Sequence, residues 1–156
     1  MTGIDRERHQ AAVRDALIYK ILGDVERTLD AIEEIVDAGP AGVHAALFAW
    51  STLTLQGFAE DQGVPQASDG NHYWVTVVEN ARTGETVSID QVPDPATVNA
   101  MRLVTCAGNN DHPMIAAIVQ TVWRDPEALT GLIVVSLKLA AQTMELLRAE
   151  REGRSE

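Results

Sequence analysis

The sequence predicts a mainly α fold with a minor β component: a six-helix bundle built of two three-helix units, with a β-hairpin inserted between them. Three observations lead to this prediction. Apolar residues recur at helical spacing in both halves of the chain, capping residues separate six such segments, and the spacing changes near the middle to that of β-strands. The single domain therefore divides into unit 1 (1–58), the insert (59–93), unit 2 (94–151) and a charged tail (152–156) that we expect to fray.

The helices of unit 1 are separated by residues that favour helix ends. The first helix runs from Asp5 to about Leu22, and Gly23 stands where a C-terminal cap is expected. Asp24 can cap the second helix. Gly39-Pro40 ends that helix and starts the third, because proline is tolerated in a first turn. Unit 1 is thus predicted to be three helices joined by short loops.

The second and third helices are expected to bury different amounts of surface. The second carries one apolar stripe that we expect to face the core, formed by Val25, Leu29, Ile32 and Val36. The third runs to about Phe58 and has no charged residue between Val43 and Phe58. A helix without charges is normally surrounded by other elements, so the third helix is predicted to be central.

The insert contains the pattern of a hairpin. Residues rich in aromatic and β-branched side chains at 72–79 and 85–91 flank a segment with turn chemistry. Tyr73 and Trp74 are adjacent on the first strand, so one of the two side chains points away from the local core. Together with Arg82 they are candidate partner-binding residues. The seven acidic residues from Ala59 to Asp94 either suit a basic protein surface or serve solubility alone.

Unit 2 resembles unit 1 in its helix boundaries. Asp94, Asp111 and Asp125 can each cap a helix that has proline in its first turn. Asp111 lies 87 positions after Asp24, and Pro126 lies 86 positions after Pro40. This spacing indicates a pseudo-repeat, which is either a duplication or the chance similarity of two three-helix units with short loops.

The C-terminal half is poor in charge. Between Val98 and Trp123 only Arg102 and Asp111 are charged, and the stretch from 129 to 147 is also apolar. Such helices cannot expose all of their faces to water, so they are buried inside the monomer or covered by another chain. We therefore expect a homodimer that forms through the C-terminal half.

Charge and cysteine content exclude several classes of protein. The formal net charge of −11 disfavours binding to nucleic acid and to anionic lipid. The apolar stretch 129–147 is interrupted by Lys138 and Glu145, which favours a buried helix over a membrane span. The single cysteine, Cys106, cannot form an internal disulfide and fits a reducing compartment, so a cytoplasmic location is expected.

Few residues point to chemistry. The sequence contains no nucleotide, hydrolase, zinc or redox fingerprint, so no cofactor and no metal site is predicted. His44, Trp50 and Trp123 lie on apolar helix faces and are candidate ligand-binding residues. Asp111 and His112, with His44, are candidates for catalysis; the alternative is that Asp111 only caps a helix.

These observations favour a non-enzymatic, acidic protein-interaction or regulatory module that is homodimeric. Two alternatives remain open at this point. One is a small-ligand-binding protein with an apolar pocket between the helical units, near His44, Trp50 and Trp123. The other is an enzyme that uses Asp111, His112 or His44.

Overall fold

A computed structural model of the chain describes residues 3–62, 78–79, 83, 85–87 and 92–154, and the mainly α class is confirmed. The helices are α1 (Gly3–Leu22), α2 (Val25–Asp37), α3 (Gly39–Gln62), α4 (Pro95–Gly108), α5 (His112–Trp123) and α6 (Pro126–Arg154). Two short strands, β1 (Val78–Glu79) and β2 (Thr86–Val87), lie between α3 and α4 in the sequence.

Among the residues that the structure describes, the strands form two residue pairs. They are antiparallel, with Val78 opposite Val87 and Glu79 opposite Thr86. The remaining residues of the predicted strands, including Tyr73, Trp74 and Arg82, lie outside the described part of the chain. Since most of the two predicted strands lies outside the described residues, the hairpin insert stays a prediction.

Two helices extend beyond their predicted ends. α3 continues to Gln62, past Phe58, because Ala, Glu and Gln follow and no glycine or proline occurs before residue 63. α6 continues to Arg154, into the predicted frayed tail. There the Arg148 side chain donates a 3.1 Å hydrogen bond to the carboxylate of Glu152, a pair four residues apart that supports a helix.

The α1–α2 and α4–α5 junctions have the same hydrogen-bond pattern. Gly23 and Asn110 adopt left-handed conformations, with φ of 75° and 54°. At both junctions the next amide donates to the carbonyl five residues earlier, at 2.9 Å in the first and 2.8 Å in the second. Asp24 and Asp111 then each accept a hydrogen bond of 3.1 Å from the amide three residues later. The pseudo-repeat predicts this similarity at a spacing of 87 residues.

One hydrophobic core joins all six helices. α3 contacts each of the other five, as its lack of charge predicts, and α6 contacts α1, α3, α4 and α5. The largest side chains that are fully buried include Trp50, Leu47, Leu103, Ile115 and Leu132. Because α3 and α6 pack on each other across the boundary between the halves, the division into two three-helix units stays a prediction.

α2 faces the core with residues other than the predicted stripe. Its buried residues are Thr28, Ala31 and Ile35. Of the predicted stripe, Ile32 and Val36 are half-buried, whereas Val25 and Leu29 are 70 % and 56 % exposed. At 3.6 residues per turn, the apolar stripe points roughly a quarter-turn away from the buried face. The prediction that this stripe faces the core is therefore wrong for Val25 and Leu29.

Small side chains explain this orientation of α2. Ala31 and Thr28 allow close approach to the neighbouring helices, α1 and α3. The Thr28 hydroxyl can be buried because it donates a 2.7 Å hydrogen bond to the carbonyl of Asp24, within its own helix. Ile35, which is fully buried, then supplies the large apolar contact.

The orientation of α2 can be tested with two substitutions that each remove a large aliphatic side chain. Ile35→Ala leaves a cavity in the core and should lower the free energy of unfolding by about 2–5 kcal/mol. Leu29→Ala should change it by no more than about 0.5 kcal/mol, because the side chain is mostly exposed. Chemical denaturation at submicromolar protein concentration, where association does not contribute, measures both values. Equal losses would show that α2 buries the predicted stripe after all.

Candidate functional site

A pair of histidines on different helices forms the candidate site. His44, on α3, and His112, the first residue of α5, lie 68 residues apart in the sequence. The Nε2 atom of His44 is 3.1 Å from the Nδ1 atom of His112. The two rings are stacked, with centroids 5.3 Å apart and planes inclined by 17°. The fold therefore brings together His44 and His112, two of the three residues that the sequence offers as candidates for catalysis.

Helix capping and an aromatic contact fix the position of His112. The carboxylate of Asp111 accepts the amide hydrogen of Met114, which is the capping role that the sequence offered as the alternative to catalysis. Phe48, one turn after His44 on α3, packs against the His112 ring at a centroid distance of 4.6 Å. The capped start of α5 therefore positions the backbone of His112, and α3 contacts its ring.

The environment of His44 favours its neutral form. Burial lowers the pKa of His44, and the neighbouring His112 lowers it further. Since both facing atoms are ring nitrogens, their contact is a hydrogen bond only when one carries the proton and the other offers its lone pair. A neutral hydrogen-bonded pair therefore has one proton and one lone pair between the two facing nitrogens.

Trp50 and Trp123 do not share the histidine site. Trp50 is buried, and its indole nitrogen donates a 3.3 Å hydrogen bond to the carbonyl of Val13. It lines an open groove of about 470 Å³ between α1 and α3, to which neither His44 nor Trp123 contributes. Trp123 is half-buried at the end of α5 and packs against the core. The joint pocket of His44, Trp50 and Trp123 thus stays a prediction.

The surroundings of Cys106 and His9 indicate structural roles for both residues. Cys106 is buried; burial raises the pKa of its thiol, and the negative charge of Asp111 raises it further, which is the opposite of what activates a nucleophile. His9, for which the sequence gave no role, is buried and lies with Nε2 2.8 Å from the carbonyl oxygen of Gly42. That contact joins α1 to α3.

Within the described part of the chain, no three His, Cys, Asp or Glu side chains converge as metal ligands.

A second feature is an apolar groove between α2 and α6, which we call the α2–α6 groove. Its volume is about 220 Å³, and its lining is Tyr19, Lys20, Gly23, Val25, Thr28, Leu29, Ile32, Val134 and Leu137. Three of these are large apolar residues that remain mainly or partly exposed: Val25, Leu29 and Val134, the last at 41 %. Sequence reasoning missed this groove because it assigned Val25 and Leu29 to the core.

α6 borders the groove and also contributes to the core. By length and composition alone it could cross a membrane. In this structure its buried residues Leu132, Ile133 and Leu137 belong to the core shared by all six helices.

Comparisons with known proteins give no relative for this chain. No protein-family model, no curated protein sequence and no solved structure matches it significantly. The function of this chain is therefore inferred from its residues and their geometry.

The lowered pKa of His44 predicts a pH dependence of stability. The folded chain binds a proton at His44 less readily than the unfolded chain does. The free energy of unfolding therefore decreases as the pH falls through about 6.5, the usual histidine pKa, because the unfolded state gains the proton first. Above about pH 7.5 the group is neutral in both states and contributes no slope. His44→Gln, which keeps a hydrogen-bonding nitrogen, should make the loss of unfolding free energy between pH 7.5 and 5.5 smaller than in the wild type. Denaturant titrations at several pH values measure this; identical slopes in the two proteins would contradict it.

Proposed function

We propose that the chain is a non-enzymatic protein-interaction module that forms a homodimer, with the α2–α6 groove and its apolar rim as the interface. The observation that carries the proposal is the exposed apolar surface of Val25, Leu29 and Val134 around that groove. Large apolar side chains that cluster around one exposed groove are typical of a surface that another protein covers.

The size of the groove favours protein side chains over a small molecule. Its volume of about 220 Å³ lies below the roughly 300–1,000 Å³ of pockets that take drug-sized ligands. It has room for single aliphatic side chains such as those on its own rim. Two copies can therefore fill each other's groove with the same residues, which is what a symmetric interface requires.

Exposed residues of both charge signs lie on the helices that line the groove. The lysine edge consists of Lys20, which lines the groove, and Lys138, one turn after Val134 on α6. These are the only two lysines in the chain. The carboxylate edge consists of the exposed acidic residues on the opposite flank of α2, Glu26, Asp30 and Glu33.

This distribution of charge favours a second copy as the partner. A twofold axis along the groove would bring the lysine edge of each copy against the carboxylate edge of the other. Exposed ion pairs contribute about 0–1 kcal/mol each, so they would orient the two copies while apolar burial supplies most of the binding free energy. A wholly basic partner would place positive charges against Lys20 and Lys138 and would be repelled by them.

The proposed interface is not where the sequence placed it. In the charge-poor stretch 98–123, Val119 is 1 % exposed, as is Ile133 on α6, whereas Met114 is 50 % exposed. Burial within one chain therefore accounts for part of the apolar surface of that stretch. From the C-terminal half, α6 contributes Val134 to the proposed interface. The candidates Tyr73, Trp74 and Arg82, and the basic protein partner that they would contact, remain predictions because these residues lie outside the described part of the chain.

Three further features belong to the proposal. They are the two three-helix units, the hairpin insert between them and a cytoplasmic location. The single buried cysteine supports the cytoplasmic location. The similarity of the capped junctions after α1 and α4 supports the two three-helix units.

A charge placed in the groove tests the dimer. Leu29→Glu should raise the dissociation constant of the dimer at least about tenfold, because a carboxylate would be desolvated against apolar residues of the partner. Leu146→Glu is the matched control: Leu146 is 66 % exposed and lies on α6 three turns beyond Val134, so the same substitution should leave dimerisation unchanged. Sedimentation equilibrium at tens of micromolar measures both.

Two results would refute the proposal. One is a wild-type chain with the 16.9 kDa mass of the monomer at that concentration. The other is an equal loss of association in Leu146→Glu. A monomer that binds an apolar fluorescent dye, with binding lost in Leu29→Glu, would instead favour the small-ligand alternative.

A further inference from the structure

We propose that His44 and His112 together bind one divalent transition-metal ion, of the class of Zn²⁺, Ni²⁺ or Cu²⁺, between their facing ring nitrogens. The sequence predicted no metal site, because the two histidines lie 68 residues apart and neither belongs to a helical pair of ligands. The fold, however, brings their nitrogens together on the surface where α3 meets α5. Imidazole nitrogen is a preferred ligand of these three ions.

The distance between the nitrogens fits a shared ion. Zinc lies about 2.0–2.1 Å from a histidine nitrogen, so two nitrogens bound to one tetrahedral ion are about 3.3 Å apart. The observed separation of His44 Nε2 and His112 Nδ1 is 3.1 Å. Small rotations of the two side chains about their χ2 angles would turn both lone pairs from each other toward a common point.

The proton balance of binding is simple. With both histidines neutral, one facing nitrogen carries a proton and the other has a free lone pair. When the metal binds, the protonated ring moves its proton to its far nitrogen through solvent, and both facing nitrogens coordinate the ion. No net proton is released when both rings start neutral, and no oxidant or reductant is needed.

The surroundings leave the ion accessible. His112 is exposed and His44 is half-buried, so the remaining coordination positions would be filled by water or by a ligand from solution. Phe48 restrains the His112 ring, which reduces the entropy lost on binding. The net charge of −11 also raises the concentration of cations near the surface. A site with two protein ligands binds more weakly than a structural zinc site with four.

Metal titration of the chain without a histidine tag tests the site. Isothermal titration calorimetry with Zn²⁺ at pH 7.5, in excess Mg²⁺ to occupy carboxylate sites, should show one ion per chain. His112→Asn should weaken this binding at least about tenfold, since asparagine can still hydrogen-bond to His44 but offers no imidazole. His44→Asn should do the same. Gln120→Ala, an exposed residue on the same helix α5, is the matched control and should bind as the wild type does.

Acidification separates this site from binding to carboxylates. Lowering the pH from 7.5 to 5.5 should abolish most Zn²⁺ binding, because protons compete for imidazole in that range, whereas ordinary carboxylates stay ionised. Circular dichroism verifies that each variant is folded. As an independent measurement, Zn²⁺ should raise the melting temperature of the wild type and Gln120→Ala but not of His112→Asn. The proposal would be overturned if the wild-type chain did not bind Zn²⁺, or if His112→Asn bound it as tightly as the wild type does.

Discussion

The close packing of α3 against its neighbours is the constraint on which the rest of the structure depends. A side chain at Gly57 would collide with Thr143 of α6, and a Cβ atom at Gly42 would lie 2.5 Å from the Cβ of Ala38 and 3.2 Å from Nε2 of His9. Such distances leave room only for glycine, so these two positions determine how near α6 and the α2–α3 turn lie to α3. Because α3 then contacts all five other helices, it can carry no charge along its central part. Its position also brings His44 to α5 and places the carbonyl of Gly42 against His9.

Local chemistry allowed the capped helix starts to be predicted, but it did not determine helix orientation. Asp24 and Asp111 cap helices as expected, because an N-cap depends on a side chain and an amide only three residues apart. The face that α2 buries depends instead on how closely α1 and α3 approach it. Periodicity identifies an apolar stripe; it does not reveal that the smaller residues Thr28 and Ala31, a quarter-turn away, permit closer packing. The exposed Val25 and Leu29 could therefore not be foreseen.

The candidate site shows the same limit. His44, Asp111 and His112 could be singled out from the sequence by residue type and by their place on predicted helices. The pairing of His44 with His112 could not, because it depends on the side of α3 that faces α5 and on the 3.1 Å approach across that contact. Lys20 is a related case: the scarcity of lysine is visible in the sequence, whereas the position of Lys20 in the lining of the groove depends on the packing of α1 against α2.

The exposed stripe of α2 is best understood through the three different faces of that helix. Thr28, Ala31 and Ile35 face the core, the carboxylates of Glu26, Asp30 and Glu33 face water, and Val25 and Leu29 lie between them. Turning α2 by a quarter-turn would bury the aliphatic pair, a gain of roughly 1.5–3 kcal/mol per side chain, but it would also expose Ile35 and press larger side chains against α1 and α3. An isolated chain therefore cannot bury both apolar faces at once. In the proposed dimer, a second copy over the groove would remove this conflict, because it would cover Val25 and Leu29 without moving α2 from the core.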